Sequence, residues 1–432
     1  MAEEPGILVI GGGIAGIQAA LDAASQGVKV YLVERTPSIG GHMAMLDKTF
    51  PTLDCSACIL TPKMVDVARH PNVELMVYSE VTEVRREGSG FLVKVLKKPR
   101  YVREDRCTGC GICAMHCPIE VPNEFDLGLG IRKAIYIPFP QAIPLKYTID
   151  REHCIRCELC KRVCEADAID FDQQPQEVEL KVGAIVVATG FDVFDATKLG
   201  EYGYGRYQNV ITGLELERFL NAAGPTAGHI MRPSDGKIPR RVAFIQCVGS
   251  RDRRLGNPYC SRVCCMYAIK NAILIKEHIH EVDITIFYMD IRTYGKGFEE
   301  FYNRAREEFG IKFIRGRVAS VEEVPETRNL IVRVENTETG ELLEMEFDLV
   351  VLSVGLVPPK GIEELGKMLG IPMDEYGFFI EKHIKTNPME VGVEGIFMAG
   401  TALGPKDIPD SVAEASAAAM RAVNYVKGRC GM

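Results

Sequence analysis

Three passages predict an α/β chain in which two doubly wound, parallel-sheet units are interrupted by a small α+β module rich in cysteine. The first passage is an apolar run, Ile7-Leu8-Val9-Ile10, which breaks into Gly11-Gly12-Gly13-Ile14-Ala15-Gly16. A helical stretch from Ile17 to Gln26 and a second apolar run from Val28 to Val33 follow it. The second passage repeats that order, with a strand at Val242 to Gln246, a helix from about Ser261 to His278 and a strand from Val282 to Met289. A further strand, Phe347 to Ser353, and the turn Val354-Gly355 close it. The third passage is a pair of cysteine quartets, Cys107, Cys110, Cys113, Cys117 and Cys154, Cys157, Cys160, Cys164.

In the first unit the glycines stand in G-x-G-x-x-G order between a strand and a helix, and Glu34 with Arg35 ends the next strand. That context gives the motif meaning. Gly11 permits a tight turn, Gly13 lets the backbone approach a pyrophosphate, and Gly16 packs helix on strand. The helix N-terminus faces the phosphate charge, and Glu34 is placed for the ribose hydroxyls. A glycine-rich turn without a ligand is the plainer alternative.

Each quartet reads C-x2-C-x2-C-x3-C, the ligand run of bacterial two-cluster ferredoxins, and Pro118 follows the first as that signature expects. In such runs three thiolates wrap one 4Fe-4S cube and the fourth reaches the other. A zinc ribbon or a disulfide framework is the alternative, but a zinc site has no use for the third closely spaced thiol. A third set, Cys247, Cys260, Cys264 and Cys265, stands where the second unit would carry its phosphate-binding glycines. Four thiolates at one strand end and helix start suit a third cube, provided the helix begins only at Cys264 or beyond. Ordinary buried cysteines are the alternative. Gln246-Cys247-Val248-Gly249-Ser250 holds a single glycine, so this unit reads as a degenerate NAD(P)-like domain. Arg251, Arg253 and Arg254 read as a solvated basic loop, with a phosphate contact as the alternative.

The chain of 432 residues is 47% hydrophobic and 25% charged, enough for two or three domains with cores of their own. Its formal charge of -8 argues against nucleic acid or an anionic membrane as the main partner. Fifteen cysteines suit a reducing compartment. Met1 to Pro5 carries no basic stretch and no segment has the apolar length of a membrane span, so a cytoplasmic protein is expected.

Two further segments carry a resemblance. Val182-Gly183-Ala184-Ile185-Val186-Val187-Ala188-Thr189-Gly190 and Gly395-Ile396-Phe397-Met398-Ala399-Gly400-Thr401, with the alanine-rich helix from Ser411 to about Lys427, resemble the two-dinucleotide-domain flavoproteins typified by thioredoxin and glutathione reductases. The resemblance implies FAD, contacted by Thr189 and Gly190 and by Gly400, Thr401, Asp407 and Ile408, with Gly41 and His42 beside it. Thr401 stands where that family usually has Asp.

A more specific resemblance is to the A-subunit family of heterodisulfide reductases. It rests on Leu53-Asp54-Cys55-Ser56-Ala57-Cys58-Ile59-Leu60, Ile245-Gln246-Cys247-Val248-Gly249-Ser250-Arg251-Asp252, Cys264-Cys265-Met266-Tyr267-Ala268-Ile269-Lys270 and Gly404-Pro405-Lys406-Asp407-Ile408-Pro409-Asp410-Ser411. It covers essentially the whole chain, as a short form without the extra cluster domains of longer members. It implies an oxidoreductase of anaerobic metabolism whose flavin converts electron pairs to single electrons, by bifurcation in the best-known members. Lys270 then matches a lysine expected near the reactive flavin nitrogen. Implied partners are other heterodisulfide-reductase-like proteins of the same complex and a hydrogenase, a formate dehydrogenase or ferredoxin, around a homodimer. For Cys55 and Cys58 three readings stand: a redox dithiol, ligands of a shared cluster, or structural thiols. A non-bifurcating wiring component, as in the quinone-interacting membrane-bound oxidoreductase, and an NAD(P)H-dependent flavoprotein are the other functions.

The expected domains are 1–96, 173–238 and 356–432 for FAD, 97–172 for the ferredoxin-like insertion, and 239–355 for the degenerate unit. Residues 200–238 read as an irregular lid, with Tyr202, Tyr204 and Tyr207 as packing residues.

Overall fold

The computed structural model describes residues 5–430. They divide into two compact units, one of residues 5–44, 57–191 and 358–430 and one of 45–56 and 192–357. Among the described residues no helix is long and apolar enough to cross a membrane.

The first unit is built on a seven-stranded sheet whose centre is Gly6–Ile10 beside the long strand Gln176–Val187. These two run parallel, with Leu8 opposite Ile185 and Val9 opposite Val186. Parallel strands covered on both faces need apolar residues at every position, which is why Gly6–Ile10 and the second half of the long strand, residues 182–187, read as continuous apolar stretches. Ile7, Val9, Ala184 and Val186 join one core and Leu8, Ile10, Ile185 and Val187 the other. Each fully buried Val, Leu or Ile among them contributes roughly 1.5–3 kcal/mol. The helices Ile14–Ser25 and Ile408–Cys430 share the first of these cores. Ala415, Ala418, Ala419 and Ala422 recur at i, i+3, i+4, i+7 and give the second helix its buried stripe.

The C-terminal helix starts at Ile408, three residues ahead of the Ser411 expected from the sequence. Asp407 caps it, its Oδ1 accepting the Asp410 N–H at 2.9 Å. Pro409 hid this start, although proline is tolerated in a first helical turn.

The insertion leaves the sheet after Gly90–Lys97 and returns at Gln176, and these two strands pair antiparallel with Lys97 opposite Gln176. Inside it, two short helices, Ile112–Met115 and Leu159–Arg162, follow the two cysteine loops in like manner. Val102, Ile135, Tyr147, Ile149 and Ile169 form its small core together with Cys107, Cys113 and Cys160.

The second unit has a five-stranded parallel sheet, ordered Val210–Thr212, Leu349–Val354, Arg241–Val248, Asp283–Tyr288, Lys312–Arg315. A three-stranded antiparallel sheet over residues 318–347 adjoins it in the chain. Its first strand and the helix Gly213–Leu220 fall inside the stretch expected to be an irregular lid. Three and eight residues are too short to show a period, but a capping box marks the helix start, with the Glu215 N–H on Thr212 Oγ1 at 3.3 Å and the Thr212 N–H on Glu215 Oε2 at 2.6 Å. Tyr202 is buried and Tyr204 and Tyr207 pack against the same core.

The domain division also differs from the sequence expectation, which gave residues 192–238 to the FAD part although they cluster with the second unit. Residues 45–56, expected in the FAD part, cluster with the second unit because its side chains hold them. Arg218 donates to the Met45 carbonyl at 2.8 Å, Asn221 to that of Leu46 at 3.2 Å, and Glu217 accepts the Asp47 N–H at 3.1 Å. Glu217 also pairs with Lys270, whose Nζ donates to the Lys48 carbonyl at 3.0 Å. Both ions are almost wholly buried. Glu217→Ala should strand the Lys270 ammonium and cost about 3–5 kcal/mol, seen as a large fall in thermal midpoint. Glu217→Leu combined with Lys270→Met should lose far less, because no unpaired charge remains.

Candidate flavin and iron–sulfur sites

The glycine turn after the first strand is shaped by two close approaches. Gly11 has φ 107°, and a Cβ there would lie 2.3 Å from the Ala188 carbonyl oxygen. A Cβ at Gly16 would lie 1.8 Å from the Gly11 oxygen. Gly13 differs: a Cβ on it would meet nothing within 4 Å among the described residues. It stands just before the helix Ile14–Ser25, where a pyrophosphate gains most from backbone N–H groups. Glu34, expected to meet a ribose, accepts the Gly12 N–H at 2.7 Å and the Thr36 N–H at 2.8 Å, which holds its carboxylate beside the turn. Arg35 lies beside it, exposed, on the Lys360 carbonyl at 3.2 Å.

Gly41, at φ 56°, comes so close to Gly13 that a Cβ would stand 2.9 Å from its Cα. His42 stacks on Phe191 with ring centroids 4.3 Å apart, a partner the sequence did not signal. Thr189 Oγ1 is buried with no hydrogen-bond partner among the described residues, and Gly190 follows at φ 77°. The Gly400 N–H donates to Glu414 Oε2 at 3.2 Å, and Thr401 is buried beside it. A turn open at Gly13, an orphaned Thr189 hydroxyl and a capped helix at Asp407 and Ile408 fit a dinucleotide.

In the insertion, one cavity is lined by Cys154, Cys157 and Cys160 together with Cys117 from the first quartet. This is the crossed ligand pattern of two-cluster ferredoxins. The loops that present the thiols hold left-handed backbone. The first uses Gly109 and Gly111, at φ 74° and 86°, while the second holds Arg156 and Glu158 at 56° and 61°. Non-glycine residues persist there only where their surroundings over-determine the conformation.

In the second unit, a cavity is lined by Cys247, Cys260, Cys264 and Cys265. The helix begins at Cys264, which meets the condition set by the adjacent pair of cysteines. Cys247, Arg251 and Arg262 again take left-handed backbone, at φ 62°, 56° and 63°. Arg251 is not part of a solvated loop: its guanidinium donates to Asp290 at 2.7 Å and borders the cysteines, while Arg254 pairs with Asp252 at 2.8 Å. Sequence reasoning gave it no role here, since Asp290 is distant in the chain. Gly249 serves packing, for a Cβ on it would lie 2.1 Å from the Phe194 ring.

Burial pushes the Cys113 thiol up to about 12 and those of Cys160 and Cys265 up to about 11. Burial also raises Cys247 and Cys264, the Arg251 guanidinium pulling against it at Cys247. Coordination to iron deprotonates such thiols outright. Cys55 and Cys58 are exposed and disulfide-bonded, whereas the twelve cysteines of the three sets are free. Lys270 is held by Glu217, so it is a buried ion and not a surface lysine.

Residues 6–50 match the FAD dependent oxidoreductase model, residues 106–169 the 4Fe-4S dicluster domain and residues 145–419 the pyridine nucleotide-disulphide oxidoreductase model. The last spans more than half the chain, which therefore belongs to the pyridine nucleotide-disulphide oxidoreductase family. It is an oxidoreductase with FAD and 4Fe-4S clusters as cofactors. More particularly, it is similar to the iron-sulfur A subunit of the CoB–CoM heterodisulfide reductase of Methanocaldococcus jannaschii, 63% identical over 95% of this chain and 63% of the relative. It is also similar to the A subunit of the H(2):CoB-CoM heterodisulfide,ferredoxin reductase of Methanothermobacter marburgensis, 59% identical over 98% of this chain and 64% of that one. The chain thus spans a little under two thirds of the length of these relatives. The fold is that of thioredoxin reductases: the T. acidophilum enzyme aligns over 100% of both chains with TM-score 0.54 at 14% identity. The Lactococcus lactis enzyme aligns over 98% of this chain and 99% of its own, with the same TM-score at 18% identity.

Gly13→Ala should leave the fold intact and lower bound flavin, measured by absorbance after gel filtration, whereas Gly16→Ala should impair folding itself. Cys117→Ser should disturb the cluster of Cys154, Cys157 and Cys160, seen as lost iron and an altered spectrum of that cluster.

Proposed function

We propose that this chain is the FAD and iron–sulfur electron-transfer component of a heterodisulfide-reductase-like complex, and that it bifurcates an electron pair between ferredoxin and a disulfide reduced on partner subunits. The observation that carries this reading is one chain joining a dinucleotide turn, open at Gly13, to three sets of four cysteines. Bound FAD supplies the conversion between paired and single electrons, and 4Fe-4S clusters supply the one-electron steps. Glu34 orients the ribose, Gly13 and the helix behind it receive the phosphates, and Thr189 donates its hydroxyl.

Cys107, Cys110, Cys113 and Cys164 hold one cluster, Cys117, Cys154, Cys157 and Cys160 the second, and Cys247, Cys260, Cys264 and Cys265 the third. The exposed, disulfide-bonded state of Cys55 and Cys58 supports a redox dithiol rather than cluster ligands. Lys270 is the cation that favours reduced flavin, with Glu217 fixing its ammonium. The relatives' names join CoB–CoM heterodisulfide with hydrogen, formate or ferredoxin, which supports a hydrogenase, a formate dehydrogenase or ferredoxin as partner. Phe194 packed on the single glycine of the turn at Gly249 speaks against a pyridine nucleotide there.

Anaerobic purification should yield one FAD and about twelve irons per chain. The iron content of Cys55→Ser should equal that of the parent protein; a drop would return this pair to the cluster ligands. Bleaching of the flavin by NADH alone would favour a pyridine-nucleotide reductase. Ferredoxin reduction by the complex without any disulfide present would rule out bifurcation.

A further inference from the structure

We infer that Arg251 and Tyr267 are positioning residues that hold the cluster of Cys247, Cys260, Cys264 and Cys265 at a higher reduction potential than the ferredoxin-type cluster of Cys117, Cys154, Cys157 and Cys160. The inference rests on the cluster assignments proposed above.

The two cavities differ in their walls. Around the second-unit cysteines stand three arginines, Arg251, Arg262 and Arg292, against one acid, Asp290. The ferredoxin-type cavity is walled by aliphatic side chains and Phe171, and its one ionisable residue besides cysteine is Glu158. Reduction adds an electron to a cluster that is already anionic. Positive charge and N–H or O–H donors near its sulfurs stabilise the reduced form, and a carboxylate in an apolar wall does the reverse.

Arg251 is built to supply such a donor. Its own N–H is spent on the Tyr259 carbonyl at 2.8 Å, and one arm of its guanidinium is clamped on Asp290. The other arm, Nη1, is buried and has no partner among the described residues. Hydrogen bonds from an ionised donor to a thiolate are of the stronger kind. Tyr267 lies one helical turn beyond Cys264. Its hydroxyl donates to the Val354 carbonyl at 2.8 Å, and Cys264 Sγ reaches the same oxygen at 3.7 Å. Hydroxyl and sulfur therefore share one acceptor. When Cys264 ligates as a thiolate it can only accept, and this O–H stands beside it. Gly213 makes room, since a Cβ there would lie 2.8 Å from the Tyr267 ring. The Arg262 N–H donates to Cys260 Sγ at 3.3 Å and adds to the same effect.

The test is an EPR-monitored redox titration of the anaerobically purified chain, with Cys264→Ser identifying which signal belongs to this cluster. Cys264→Ser should remove the signal of higher midpoint. Arg251→Gln and Tyr267→Phe should each shift that midpoint downward and leave the ferredoxin-type signals in place, and Arg251→Lys should recover most of the loss. Unmoved midpoints in variants that keep their full iron content would overturn the inference alone, as would loss of the lowest-potential signal in Cys264→Ser. A Cys264→Ser protein with the parent's iron and spectra would overturn the cluster assignment, and the inference with it.

Discussion

Left-handed backbone at the cysteine loops is the constraint on which both cysteine-lined cavities depend. A thiol can be turned inward toward a shared centre only if the residues between ligands reverse the chain tightly. In the first quartet Gly109 and Gly111 do this without penalty, while Arg156 and Glu158 do it in the second at a cost of about 1–3 kcal/mol each. Cys247, Arg251 and Arg262 carry the same burden around the third set. Desolvation of the thiols opposes their ionisation at these same places. In the second quartet and the third set strain and desolvation thus coincide, and metal coordination is the interaction able to offset both.

The remaining architecture serves to hold such loops still. In the first unit the parallel strands bury both faces, so the turn between Ile10 and Ile14 hangs from a core of fully buried aliphatic residues. In the second unit Cys247 sits near the end of a central strand and Cys264 at the start of the helix that follows. Rigid elements therefore carry ligands that the flexible parts of the chain would let drift.

What could be read from the sequence was local. The cysteine quartets and the glycine turn declare themselves because their chemistry lies in short spacings, whereas the helix expected from about Ser261 starts only at Cys264. What escaped depends on partners far apart in the chain. Nothing near residue 45 announces Glu217, Arg218 and Asn221, and so the attachment of residues 45–56 to the second unit was invisible. The clamp of Asp290 on Arg251 was hidden for the same reason, and the stacking of Phe191 on His42 likewise. Pro409 concealed a helix start by mimicking a loop.

The cysteine-rich insertion is, in topological terms, the tip of a hairpin. Its two roots are neighbouring antiparallel strands, laced together along Gly90–Lys97 and Gln176–Val182, and the second root runs on unbroken beside Gly6–Ile10. A module moored twice to one ladder cannot swing as a bead on a single tether would. Electron hopping slows exponentially with separation, so such a mooring converts the stiffness of a β-sheet into a constant hopping distance between the module and the glycine turn of its host sheet.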